Sequence, residues 1–252
     1  MDTAIALRHA LRDVKRNFAI RLGLAGLLLA APRGVAEPAT NDLAGFQLKK
    51  GFRLELVAAE PLVFDPVAMA FDAEGRLFVA EHRDYPGPDA GPPHRGRVRL
   101  LEDQDGDGRF DTSKDFVEDL PAPSALLCWD HGVIVAAGTE ILHCKDTDDD
   151  GRADERKTLF AGDAQNSRGA ENPLPIRGFV WGLDHRIHAA FSGAARRSRG
   201  TGSEFQLDGH DFAFDPRTQV FDAESSGGST GVGFDALGRR LVCAPARPLR
   251  QV

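Results

Sequence analysis

Cysteine is scarce in this 252-residue sequence, which contains only Cys128, Cys144 and Cys243. Each of the three lies in an apolar stretch, and an odd number of such residues does not form a disulfide framework. We therefore expect three buried thiols that pack as small hydrophobic groups. The sequence also has no Cys-x-x-Cys-His motif, which excludes haem attached covalently to this chain.

An excess of basic residues is also absent. The 31 Lys and Arg residues are outnumbered by 38 Asp and Glu residues, and the net charge is −7 at pH 7. An acidic balance disfavours nucleic acid as a partner, because the phosphate backbone is itself anionic. Long apolar runs are lacking as well. The run at residues 22–31 is about half of the roughly 20 residues that a membrane helix requires, and no later run predicts a membrane span.

Residues 1–36 have the layout of a secretory signal. Basic residues are frequent within residues 1–21, the apolar run follows, and Gly34 and Ala36 place small residues where a signal peptidase recognises them. We predict that 1–36 is a signal peptide, that 37–252 is the mature domain, and that the protein is exported to the periplasm or cell surface. The alternative is an amphipathic arm that is not cleaved.

Four copies of one local pattern divide the chain. Each copy is an apolar strand, a tight turn and a second apolar strand, at 67–81, 125–137, 178–190 and 231–244. The copies recur about every 55 residues, and turn residues come too often for a helical period. A repeated all-β unit of this length is typical of a propeller blade with four antiparallel strands.

We therefore predict an all-β fold, a β-propeller, in which this chain supplies an incomplete ring of about three and a half blades. The second strands are predicted to begin near Leu77, Val133, Ile187 and Leu241. No third strand is predicted in the fourth blade. Residues 52–58 alternate like a strand that would complete a final blade.

An acid-rich loop occurs twice, as EDQDGDGRFD at 102–111 and KDTDDDGRAD at 145–154. Both copies fall between the third and fourth strands of a predicted blade. Carboxylates occupy positions 1, 3, 5 and 9 of a calcium-type loop, with glycine at position 6. The residues are Asp103, Asp105, Asp107 and Asp111 in the first loop and Asp146, Asp148, Asp150 and Asp154 in the second.

These loops depart from an EF-hand because position 12 is lysine and the flanking segments are strands. They are either structural calcium sites or Asx turns with solvated carboxylates. In an antiparallel blade they share an end with the tight turns. The long connections lie at the other end, where binding sites usually occur; they are 83–96, 162–176, 192–210 and 224–231. His185 and His188 are predicted to point to opposite faces of a strand, which disfavours a shared metal.

Several segments resemble a bacterial family of exported propellers that carries the label of a membrane-bound dehydrogenase domain. They include residues 51–86, GRVRLLEDQDGDGRFD, ILHCKDTDDDGRADERKTLF, WGLDHRIHAA and GFDALGRRLVCAPARPLRQV. The resemblance covers about residues 44–252 and extends distantly to quinoprotein glucose and sorbosone dehydrogenases. It implies that a sugar or an alcohol is oxidised by pyrroloquinoline quinone (PQQ). It also implies a histidine base, arginines on the cofactor's carboxylates and a cytochrome c-type electron acceptor.

Related propellers often carry Gln-His-Arg before the strand that ends in WGLD, whereas this chain retains only Arg177 there. The resemblance therefore implies His82 and Asp84 as candidate catalytic residues, and Arg83 and Arg177 as candidate cofactor-binding residues. The alternative for residues 82–84 is a salt-bridged corner that orders the long loop. Two functions stay open: a quinoprotein-type dehydrogenase module, and a non-catalytic exported propeller that binds a glycan or a protein.

Overall fold

The computed structural model describes residues 43, 45–84, 95–162, 176–191, 198–200, 204–205, 210–227, 230–245 and 247–252. The chain forms two compact units, Met1–Glu60 and Pro61–Val252. In the first unit, residues 52–58 form no strand, so the strand predicted there is wrong. The predicted signal peptide lies outside the described residues. No helix among the described residues is long and apolar enough to cross a membrane.

The second unit consists of four antiparallel sheets that correspond to the predicted blades. Blade 1 contains β1 (Pro66–Phe71), β2 (Leu77–Glu81), β3 (Gly96–Glu102) and β4 (Thr112–Leu120). Blade 2 contains β5 (Pro123–Trp129), β6 (Gly132–Ala137), β7 (Glu140–Lys145) and β8 (Glu155–Gly162), joined by β11 (Ser198–Gly200) and β12 (Glu204–Phe205). Blade 3 contains β9 (Ile176–Trp181), β10 (Ile187–Phe191), β13 (His210–Asp215) and β14 (Val220–Gly227). Blade 4 contains β15 (Gly231–Phe234), β16 (Arg240–Ala244) and β17 (Arg247–Gln251).

The first strands of the blades lie side by side: β1 packs beside β5, β5 beside β9, and β9 beside β15. Within each sheet the first strand is at one edge, and the following strands run outward from it. This is the arrangement of propeller blades around an axis. The all-β propeller predicted from the repeat is confirmed.

Strand register confirms the predicted positions of both acidic loops. In blade 1, Phe71 pairs with Leu77 at the same end of the sheet where Glu102 pairs with Thr112. In blade 2, Gly132 pairs with both Trp129 and Lys145 at the corresponding end. We call the end with the tight turns and acidic loops the turn face, and the opposite end the long-loop face.

Two details of the predicted blades were wrong. A third strand, β17, pairs antiparallel with β16 in blade 4. The connection 192–210 was predicted to be irregular, yet it contains β11 and β12, and β11 extends blade 2 by pairing with β8. In blade 4 Arg240 pairs with Phe234, as Leu77 pairs with Phe71 in blade 1. The second strand therefore begins at Arg240, within one residue of the predicted position.

Two junctions between blades are apolar. Each is formed by strands whose side chains are buried on both faces, such as β2 and β6. In the junction of blades 2 and 3, the Phe160 ring lies 5.2 Å from Phe221 and 6.2 Å from Phe212, centroid to centroid. A fully buried side chain of this size contributes roughly 1.5–3 kcal/mol. The junction of blades 1 and 2 is built from Phe78, Val98, Leu100, Phe116, Val133, Val135 and Leu142.

Candidate functional site

Arg83 and Asp84 hold the base of the connection that follows β2 on the long-loop face. The Oδ2 atom of Asp84 accepts a hydrogen bond from the backbone N–H of Arg95 at 2.9 Å. The guanidinium carbon of Arg83 lies 4.8 Å from the centroid of the Phe64 ring, within cation–π range. Both side chains are half-buried. Arg83 and Asp84 are thus each engaged by a residue of the same blade region, and residues 85–94 of the connection lie outside the described residues.

The backbone of His82 is hydrogen-bonded. Its N–H donates to the carbonyl oxygen of Asp65 at 3.1 Å, which attaches the end of β2 to the segment before β1. The His82 side chain is half-buried and directly follows the buried residue Glu81. The structure therefore places His82 at the long-loop end of blade 1.

A largely buried network of ion pairs lies next to His82 in blade 1. Glu81 is fully buried; its Oε1 accepts from the Phe64 N–H at 2.7 Å and its Oε2 from Arg97 Nε at 2.6 Å. Arg97 and Arg99 both reach Asp115 Oδ1, at 2.9 and 2.7 Å. Two guanidiniums and two carboxylates thus pair with each other, as buried charges must. The network links Glu81, the last residue of β2, to β3 and β4.

Arg177 is the second residue of β9, the innermost strand of blade 3. Its neighbour Ile176 pairs with Phe191 at the long-loop end of the sheet, so Arg177 lies on the same face as His82. The side chain is exposed. Within the part of the chain that the structure describes, it makes no hydrogen bond or ion pair. Among the predicted catalytic and cofactor-binding residues, Arg177 is the one whose side chain is exposed, whereas His82, Arg83 and Asp84 are half-buried.

The two acidic loops have the same internal hydrogen bonds. The carboxylate at position 1 accepts from the N–H groups at positions 4 and 6: Asp103 from Gly106 at 2.7 Å and Gly108 at 2.9 Å. In the second loop, Asp146 accepts from Asp149 at 2.7 Å and Gly151 at 2.8 Å. Positions 4 and 6 have positive φ in both loops. The Asx turn occurs in both loops at position 5, where the carboxylate accepts from the N–H two residues later.

The same geometry gathers carboxylates. Ligand atoms of positions 1, 3 and 9 lie within 4.8 Å of one another in each loop; the residues are Asp103, Asp105 and Asp111, and Asp146, Asp148 and Asp154. Position 5 is outside these groups. Asp107 and Asp150 instead accept from the N–H groups of Arg109 and Arg152. An all-oxygen donor set suits a hard cation such as Ca²⁺, with three carboxylates rather than the predicted four.

Sequence analysis missed a polar cluster between blades 3 and 4. His185 lies in the β9–β10 turn with φ 60°, not on a strand as predicted, whereas His188 is buried within β10. Both ring nitrogens of His188 face carboxylates, those of Asp184 and Glu224. Arg240 forms an ion pair with Glu224. The basic residue at the start of β16 was visible in the sequence, but its partner in the preceding blade was not.

Residues 38–252 match the family model of a domain of unknown function, DUF7133. This chain belongs to the DUF7133 family. The match includes all four blades, both acidic loops and the residues of the long-loop face. A search of curated proteins finds no match to the DUF7133 chain.

Solved structures share the propeller fold with the DUF7133 chain at low identity. The holo PQQ domain of pyranose dehydrogenase from Coprinopsis cinerea is 14% identical with a TM-score of 0.51, covering 82% of this chain and 51% of that chain. The periplasmic gluconolactonase of Pseudomonas aeruginosa is 14% identical with a TM-score of 0.45, covering 74% and 56%. The Cps50 (Swd1) β-propeller domain of Myceliophteria thermophila is 16% identical with a TM-score of 0.44, covering 74% and 51%. The DUF7133 chain thus spans about half the length of these structures, and the likeness shows the fold alone.

Proposed function

We propose that this chain is a quinoprotein-type propeller module that oxidises a sugar or an alcohol outside the cytoplasm. The observation that carries the proposal is the exposed guanidinium of Arg177 on the innermost strand of blade 3, at the face where His82 follows β2. The fold shared with the PQQ domain of pyranose dehydrogenase supports it at the level of architecture. Export by residues 1–36 and a cytochrome c-type electron acceptor belong to the same proposal.

The residues present fit PQQ in part. An exposed arginine can bind a carboxylate through two parallel hydrogen bonds, so Arg177 would hold a carboxylate of the cofactor. His82, which follows the end of β2, would act as the base that accepts a proton from the substrate. Arg83 and Asp84 would position that histidine, because they order the base of the adjoining loop. When bound, PQQ would accept the hydride.

Binding of PQQ to the full chain tests this proposal. Titration calorimetry with PQQ, with and without Ca²⁺, would compare the wild type with Arg177→Ala and Arg217→Ala. Arg217 is a matched control, since it is an exposed arginine on the turn face of the same blade and pairs with Asp215. We expect Arg177→Ala to weaken binding about tenfold or more, the value of one charge-assisted contact, and Arg217→Ala to leave it unchanged. A wild type that does not bind PQQ would refute the proposal.

Oxidation is tested separately. Aldoses and alcohols would be supplied to the PQQ-loaded protein with an artificial electron acceptor. We expect His82→Gln to lower turnover while PQQ binding is retained, because the base acts on the substrate rather than on the cofactor. Binding of PQQ without turnover of any substrate would remove the dehydrogenase assignment.

One observation favours a second function, the binding of a glycan or a protein without catalysis. Arg83 is already engaged by the Phe64 ring, and Asp84 by the N–H of Arg95. Residues held in this way at the loop end of a rigid blade can support recognition without catalysis. Binding to immobilised glycans that persists without PQQ, and that Arg177→Ala weakens, would support this function.

We also propose a structural role for calcium in the acidic loops. Asp103, Asp105 and Asp111 would hold one ion, and Asp146, Asp148 and Asp154 the other, because their oxygens already converge. The loops lie on the turn face, away from Arg177 and His82. A cation there would stabilise hairpins rather than take part in the chemistry.

A further inference from the structure

The last residue of the second strand occupies the same place in blades 1, 2 and 3. It pairs with the first residue of the first strand, and it is Glu81 in blade 1, Ala137 in blade 2 and Phe191 in blade 3. All three side chains are buried; Ala137 packs in the apolar junction with blade 1, and Phe191 in the junction with blade 2. Blade 1 therefore has a carboxylate where the next two blades have hydrocarbon. The segment 61–65, directly before β1, meets this carboxylate, and we call it the strap.

The strap contacts three consecutive residues at the end of β2. The N–H of Phe64 donates to Glu81 Oε1 at 2.7 Å. The carbonyl oxygen of Asp65 accepts from the N–H of His82 at 3.1 Å, and the Phe64 ring lies 4.8 Å from the guanidinium carbon of Arg83. Two consecutive residues of the strap thus hold the side chain of one residue, the backbone of the next and the side chain of the third.

The other end of the strap is attached to the outermost strand of blade 1. Ser113 of β4 donates from Oγ to the carbonyl oxygen of Leu62 at 2.8 Å. Successive side chains of a strand point to opposite faces of the sheet. Glu81 and Ser113 therefore lie on the face opposite Ala80 and Leu100, which pack against blade 2. The strap covers part of the face that blades 2 and 3 each turn toward their preceding blade.

Both carboxylate oxygens of Glu81 accept hydrogen bonds. Oε1 accepts from the strap, and Oε2 accepts from Arg97 Nε on β3 at 2.6 Å. A fully buried carboxylate that loses a partner is costly, so the two contacts hold the strap and β3 in one arrangement. Asp65 has φ 44°, a left-handed conformation that non-glycine residues keep only where the surrounding structure holds them in it.

We propose that Glu81 is a positioning residue, which holds the strap against the end of β2 and thereby sets where His82 and Arg83 lie. The inference rests on the proposed function for the roles of those two residues as base and cofactor contact. Glu81 is fully buried and acts through Phe64 and Asp65 rather than by touching substrate or cofactor. Without the Glu81 carboxylate the strap should detach, and His82 and Arg83 should then lose contacts that Glu81 does not itself make.

Hydrogen exchange of the full chain tests this role without PQQ. Protection of the His82 amide relative to β6 would be compared in the wild type, Glu81→Ala and Glu118→Ala. Glu81→Ala introduces the residue that blade 2 has at this point, and Arg97 keeps its ion pair with Asp115, so the variant should fold. We expect its His82 amide to lose protection about tenfold or more, the value of one hydrogen bond to a charged group. Glu118→Ala, at an exposed carboxylate of β4, should leave the protection unchanged.

Turnover separates positioning from a merely structural role. In the PQQ-loaded protein, Glu81→Ala should lower kcat about tenfold or more, because a displaced base acts poorly, while PQQ binding through Arg177 is retained. Glu81→Gln, which still offers an oxygen to the N–H of Phe64, should recover part of both losses. Unchanged protection of the His82 amide in Glu81→Ala would overturn the positioning role whether or not PQQ binds. A wild type that does not bind PQQ would refute the proposed function alone, since the exchange result stands without the cofactor.

A measurement on the wild type decides the matter even where Glu81→Ala does not fold. The Phe64 ring should shift the side-chain proton resonances of Arg83 upfield, because protons above an aromatic ring are shielded. Arg177, which is exposed, supplies the unshifted reference. Equal shifts for Arg83 and Arg177, or a His82 amide that exchanges without protection, would show that the strap is not held against the end of β2 and would overturn the proposal.

Discussion

Lys114 of blade 1 donates from Nζ to the carbonyl oxygen of Asp150, in the acidic loop of blade 2, at 3.3 Å. In the same region the N–H of Ala153 donates to the carbonyl oxygen of Phe116 at 2.8 Å. Phe116 and Lys114 both belong to β4, the outermost strand of blade 1. The second acidic loop therefore connects two blades besides joining two strands.

Substitution of Gly151 should lower the free energy of unfolding more than substitution of Gly106 in the first acidic loop. It has φ 85°, and a Cβ built on it would lie 3.1 Å from Lys114 Nζ and 3.4 Å from Leu100 Cδ2. Gly106 of the first loop has φ 75° with nothing within 4 Å. Alanine at either position meets the left-handed backbone, at about 1–2 kcal/mol. Gly151→Ala should lose about 1 kcal/mol more in chemical denaturation, because it also displaces the Lys114 hydrogen bond. Equal losses in the two variants would contradict a connecting role for this loop.

Calcium should raise the melting temperature, and the position-3 carboxylates should be required for the rise. A ligand at 100 times its dissociation constant stabilises a folded protein by about 2.7 kcal/mol. The double variant Asp105→Ala and Asp148→Ala should show no rise, while Asp107→Ala, outside the converging group, should keep it. Thermal unfolding in matched NaCl, with and without CaCl₂, measures this. A rise that survives the double variant would mean that calcium binds elsewhere.

The blades could be predicted from the repeated sequence pattern because that pattern depends on residues close together in the chain. Alternation of apolar residues and turn chemistry are read within about ten residues, and the second strands β2, β6, β10 and β16 all begin within one residue of their predicted positions. Contacts across blades do not follow from local patterns. The pairing of Glu81 with Arg97 depends on strand register, and that of Arg240 with Glu224 on how two sheets face each other. The same limit applies to the long-loop face, where sequence predicted the end of the blade but not the partners of Arg83 and Asp84.

Thiol reactivity should distinguish the three cysteines. All are free; Cys144 is buried, while Cys128 and Cys243 are half-buried rather than buried as predicted. Burial raises the pKa of Cys144 to about 11 and that of Cys128 to about 12. Since only the thiolate reacts, fewer than about one in a hundred of these groups are reactive at pH 8. Titration with a disulfide reagent should show at most one fast thiol in the native protein and three in guanidinium, and Cys243→Ser should remove the fast phase. Two fast thiols would contradict the described burial.

The effects of Arg240 and Glu224 on the free energy of unfolding should be coupled, because the two residues form an ion pair between blades 3 and 4. The side chains of Arg240 and Glu224 are 9% and 17% exposed, so removing one partner leaves a largely buried charge unpaired. We expect Arg240→Leu, which restores the residue type found at Leu77, to cost about 2–4 kcal/mol in urea denaturation. Adding Glu224→Gln should recover at least about 1 kcal/mol of that loss, because glutamine still accepts from His188 but carries no charge. Arg239→Leu, at the exposed neighbour whose partner among the described residues is Asp235 of its own turn, should change stability by less than about 1 kcal/mol. Additive losses from Arg240→Leu and Glu224→Gln would show that the two charges do not stabilise the junction together.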